Sequence, residues 1–297
     1  MIVPSNDNLW RAPSGEEWAR NKEWQAYRPV NLVETSRRVF IGEFPTVTIS
    51  SFGLLTLIGA LVANICARER YSPEMAPILD REYCTQMERS LQGWENLWRS
   101  HPYAEHVTNR QNDPLMADCL DLLSSAYHHL YMGQELQILK RIAKEPRCHL
   151  QPPSLPTNTK FLVVIKYATT AWLANTKIAH VQRKAALEFG GLGPMAAYET
   201  ALIILWWLSL RQNLISPNPG YAPVDEKEGL GNINQILKDI VQELDEQGIP
   251  GDGDRSDMAS RALFHYQVML EQWVWPYTNS MSQTLQAFAS RLCLGEA

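Results

Sequence analysis

The chain has 297 residues, 20% of them charged, and 32 acidic side chains against 27 basic ones leave a net charge of −5. Affinity for nucleic acid rests chiefly on cationic neutralisation of phosphates, so this balance opposes direct DNA binding. The five cysteines, Cys66, Cys84, Cys119, Cys148 and Cys293, lie at least eighteen residues apart. That spacing excludes a close Cys-x-x-Cys zinc site and argues for reduced thiols in an intracellular protein, nuclear or cytoplasmic.

The first 45 residues read as a polar segment with short helices and lack the apolar core of a secretory leader. Thr46-Val47-Thr48-Ile49 is β-branched and is expected to be briefly extended. No charge then occurs between Glu43 and Arg68. Ser50, Ser51, Gly53, Thr56, Gly59 and Asn64 dilute this run, which favours a central helix of a water-soluble domain, apolar on all sides, over a membrane span. Met87, Leu91, Trp94 and Trp98 form a helical stripe flanked by charges. From Asp113 to Tyr131 the residues Leu115, Cys119, Leu122, Ala126 and Leu130 recur at three- and four-residue steps, with Asp113 as N-cap and Pro114 opening the helix.

Pro146 to Pro156 reads as a loop, followed by a helix with Phe161, Ile165, Ala168 and Trp172 on one face that continues towards Leu187. Gly190-Gly191-Leu192-Gly193-Pro194 lacks the Lys-Ser/Thr ending of a phosphate loop and reads as a helix break, with Pro194 starting the next helix. Thr200 to Leu210 is a second central apolar helix, and Ser216 to Pro223 a loop. Ile233, Ile236, Leu237, Ile240, Val241 and Leu244 make an amphipathic helix stopped by Gly248 and Pro250. Met258, Ala262, Tyr266, Met269 and Trp273 mark the last long helix, ending near Pro276, with a terminal helix after it. Between Asp225 and Asp257 ten acids face three bases, a local charge of −7. This is expected to be a solvated loop and helix face. The fold class is therefore all-α, a single large multi-helix domain over residues 46–297 with two central apolar helices.

Several of these segments together resemble the middle homology region of fungal transcription factors, a helical regulatory domain that follows a zinc-containing DNA-binding module. The resemblance is carried by Asn112-Asp113-Pro114-Leu115, by Leu122 to Tyr127, by the Trp-rich helix ending before His101-Pro102, and by Ser50 to Leu55 with the exit Arg68-Glu69-Arg70. It covers roughly Phe40 to Leu210 and implies a module that binds an effector or a partner. Members that read promoters carry zinc modules of closely spaced cysteines or histidines, and this sequence has neither. Two readings follow, a fragment of a longer factor or, the one favoured, a stand-alone protein that kept the helical domain and lost DNA reading.

Chemistry is sparse. Asp118, Asp121 and Glu199 sit in the most apolar stretches, where an unpaired charge is costly and a pKa shifts. The bland reading turns the two aspartates to water or to cap interactions and pairs Glu199 with a basic residue such as Lys166 or Lys184. His128 and His129 are adjacent and point about 100° apart on a helix. Catalytic candidates are Glu199, His128 and Asp121, and Trp172, Trp206 and Trp207 are the candidates for lining an apolar ligand pocket, although aromatic stripes more often form core. No metal site and no cofactor are expected. The expected function is a regulatory or interaction protein linked to secondary metabolism, with a protein or a hydrophobic small molecule as partner. The alternative is a repurposed cofactor-independent enzyme, a cyclase, isomerase or pericyclic catalyst, with an apolar cavity. Oligomeric state is not legible.

Overall fold

The computed structural model describes residues 2–3, 12–24, 30–45, 49–71, 77–105, 114–145, 149–154, 160–179, 192–213, 224–249, 255–273 and 275–292. The protein is all-α, as its periodicity implies. Its helices gather into two compact units, residues 1–123 and 124–297.

In the first unit Ile2–Val3 (β1) pairs antiparallel with Val30–Asn31 (β2). The helices are Gly15–Trp24 (α1), Leu32–Phe40 (α2), Ser51–Tyr71 (α3), Pro77–Arg99 (α4) and the start of Pro114–Lys144 (α5). Asn31 caps α2 by accepting from the Glu34 N–H at 3.3 Å. Gly42, at φ +83°, ends it: Gly42 N–H bonds Val39 and Glu43 N–H bonds Arg38, the paired closure that a left-handed residue permits.

The expected Trp stripe is core, with Met87, Leu91, Trp94 and Trp98 all buried. Each indole N–H has a partner, Trp94 donating to the Leu54 carbonyl and Trp98 to that of Met116, both at 3.0 Å. Phe44 packs so closely on Gly93 that a Cβ there would overlap its ring.

The apolar run expected to be central and enclosed on all sides is more one-sided. In α3 Leu54, Leu57, Ile58, Leu61 and Ile65 are buried as a helical stripe, while Ala63, Asn64 and Ala67 are exposed. The reason is that α3 packs against α2 and α4. By length and composition α3 is the one helix among the described residues able to cross a membrane, with 39% of Ser51–Glu69 buried in the protein. Of the expected extended segment, residues 46–48 lie outside the described residues, as does Asp113.

The second unit holds the rest of α5 with Lys160–Ala179 (α6), Leu192–Asn213 (α7), Val224–Glu246 (α8), Arg255–Glu271 (α9) and Pro276–Arg291 (α10). Here the expectation of a central helix is met in full: in α7 every residue from Ala196 to Ser209 is buried. A helix apolar on all sides must be enclosed, and α6, α9 and α10 all pack on α7, with α8 against α6. Phe161, Ile165, Ala168 and Trp172 face the same core as Ile240, Leu244, Ala262, Tyr266, Leu285 and Phe288.

Gly193 and Pro194 lie in the first turn of α7, which begins at Leu192, while residues 180–191 and 214–223 lie outside the described residues. Gly248, at φ +69°, closes α8 with the same paired bonds seen at Gly42. Pro276 opens α10, as the sequence implies. Arg291 at the end of α10 donates to the carbonyls of Ile142, Glu145 and Leu150, satisfying the open end of α5 with a cation.

Candidate functional site

The least expected feature of the second unit is a carboxylate in its apolar centre. Glu199 lies on α7 among fourteen consecutive buried residues and is only 4% exposed. A charge in that position is tolerable only if paired and hydrogen-bonded. Three side chains of α5 supply this. Ser125 Oγ donates to Oε2 at 2.6 Å, and His129 Nε2–H and Lys140 Nζ donate to Oε1 at 3.1 and 2.5 Å.

The arrangement follows from helix geometry. Ser125 and His129 are one turn apart, and Lys140 follows three turns after His129, so all three return to one face. Between them α5 kinks at Met132, where φ is −137° and ψ is 27°, next to Gly133. Glu199 therefore bridges both arms of a bent helix. Burial alone would raise its pKa, but the His129 hydrogen bond and charge, with those of Lys140, more than offset this and hold the carboxyl down to about 2.

A second polar ladder runs beside the first. Ser124 Oγ and His128 Nε2 are 2.9 Å apart, and Thr200 Oγ1 reaches Ser124 Oγ at 3.5 Å. Adjacent residues on α5 thus serve adjacent residues on α7: Ser125 and His129 meet Glu199, while Ser124 and His128 lie with Thr200. The side-by-side histidines diverge by one residue's rotation, as their sequence requires. His128 is fully buried, and desolvation lowers its pKa to about 3, so the imidazole is neutral. Its Nδ1 has no hydrogen-bond partner among the described residues.

The three catalytic candidates are placed differently. Glu199 and His128 are neighbours in the second unit, close enough for the Glu199 charge to oppose the lowering of the His128 pKa. Asp121 belongs to the first unit and is buried at 3% exposure, so the expectation that it faces water is corrected. Asp118 is half-buried, yet its carboxyl is desolvated enough to be pushed up to about 7.

The expected basic partners of Glu199 are also replaced. Lys166 sits 5.5 Å from the Tyr167 ring centre, and Lys184 lies outside the described residues. Lys140 takes the role because its stem spans the kink from a half-buried position. The signal for it was present in the spacing of polar residues 125, 129 and 140 on one face, but the face itself could not be assigned to a partner.

Trp172, Trp206 and Trp207 are all buried, and they belong to the packed core. Trp206 meets Phe161 edge-on at 5.7 Å and donates to the Pro153 carbonyl at 2.9 Å. Trp172 lies 6.3 Å from Tyr266, and its N–H has no partner among the described residues. His265, next to Tyr266, is likewise buried, with its pKa lowered by desolvation to about 4 and its Nε2 without a partner among the described residues.

What this set can do chemically is limited by its protonation states. A general acid or base works best with a pKa near the working pH. Glu199 is ionised with its lone pairs engaged, and His128 is a neutral base far below neutrality. The carboxylate's evident role is to lock α7 to both arms of α5.

No curated protein and no solved structure matches the chain. Residues 125–287 match the fungal transcription factor C-terminal domain, a stretch that nearly coincides with the second compact unit and contains Glu199 with all three of its partners. The chain belongs to the fungal transcription factor C-terminal domain family.

Proposed function

We propose that the protein regulates transcription in a fungus, in secondary metabolism, by holding a protein partner or a hydrophobic effector and without DNA contacts of its own. The observation that carries this reading is the coincidence of the family match, residues 125–287, with the compact unit of residues 124–297. A whole folded unit has been kept, and its most chemically active side chains are consumed in helix-to-helix pairing. The net charge of −5 supports a reading in which promoter contact comes through a partner. Such a protein acts in the nucleus.

The second reading, an enzyme of natural-product biosynthesis, is favoured by one observation. Trp172 Nε1, His128 Nδ1 and His265 Nε2 are buried polar atoms with no partner among the described residues, and such groups serve to recognise a polar substituent on an apolar ligand. Deleting the gene separates the two. Loss of a pathway's transcripts supports regulation. Intact transcripts with one accumulating intermediate, converted by purified protein, would overturn it.

A further inference from the structure

We draw no further inference here: the strongest candidate, the buried side-chain cluster of the second unit in which Trp172 of α6 and His265 of α9 both lie against the Tyr266 ring, belongs to the packed core already described, and nothing among the described residues shows what would bind there.

Discussion

Removing Glu199 tests the reading of the buried carboxylate. Glu199→Ala deletes one acceptor group and strands three donors: the Ser125 hydroxyl, the His129 N–H and the Lys140 ammonium. Breaking a buried ion pair from one side costs about 3–5 kcal/mol. The Lys140 side chain keeps 22% exposure and can turn its head to water, so the lower end, about 3 kcal/mol, applies. For a unit of this size each kcal/mol moves the melting point by about 2–4 °C, giving a fall of about 6–12 °C.

Glu199→Gln separates charge from geometry. Its amide can donate to Ser125 while its oxygen accepts from His129, so the loss should shrink to about 1–2 kcal/mol. The sign against pH follows from the carboxyl being held below its usual 4.5, to about 2. Its contribution is fully present above pH 4.5 and is lost as pH falls through about 2. Urea unfolding of the three proteins at neutral pH gives both numbers. An Ala variant within about 0.5 kcal/mol of the parent would refute the claim that Glu199 joins the two arms of α5 to α7.

Other predictions follow from the same packing. His128 and His265 are neutral in the folded protein, with pKa values lowered to about 3 and about 4, and become charged on unfolding below 6.5. Stability should therefore fall as pH drops from 6.5 towards 4, by up to about 1.4 kcal/mol per pH unit for each histidine. Asp118, raised by burial to about 7, gains stability over the same fall in pH and offsets part of this. His128→Gln should therefore make the net slope less steep by up to about 1.4 kcal/mol per pH unit in pH-resolved denaturation, and an unchanged slope would contradict the assignment. Gly93→Ala places a methyl into the Phe44 ring and should lower stability by about 1–3 kcal/mol in thermal melts. Phe44→Ala in the same background should restore part of the loss, and strict additivity would argue against the contact. Purified protein should show no salt-sensitive shift of duplex DNA, and a sequence-dependent shift at moderate salt would remove that part of the account.

Much of the helical architecture was legible because apolar period and helix punctuation are local. The stripes at Met87 to Trp98 and Phe161 to Trp172, the stop at Gly248 and the opening at Pro276 all stand where their residues indicate. What is not local was harder to see. The α3 run is apolar on every side, yet one stripe is buried, since burial depends on which helices pack against it.

Glu199 was marked by its apolar neighbours, but its partners lie 59 to 74 residues away on a kinked helix. Nothing in the spacing chooses Lys140 over Lys166 before α5 and α7 are docked. The aromatic candidates Trp172, Trp206 and Trp207 show the same limit: a stripe reads alike as core or pocket, and these are packed in the core. The resemblance, too, drew on Phe40 to Leu210, while the family match runs from 125 to 287. The carriers of recognition were helix entries, and the charge-poor C-terminal hairpin offered no chemical motif to notice.

The central claim is that the unit of residues 124–297 acts on transcription through what it binds. The most direct measurement tethers the full chain to a foreign DNA-binding domain in a fungal host and reads a reporter carrying that domain's sites, beside the same fusion with Glu199→Ala. The account predicts a several-fold change in reporter output that the Glu199→Ala fusion loses at equal protein level. Reporter output equal to that of the DNA-binding domain alone, from a folded and nuclear fusion, would contradict it.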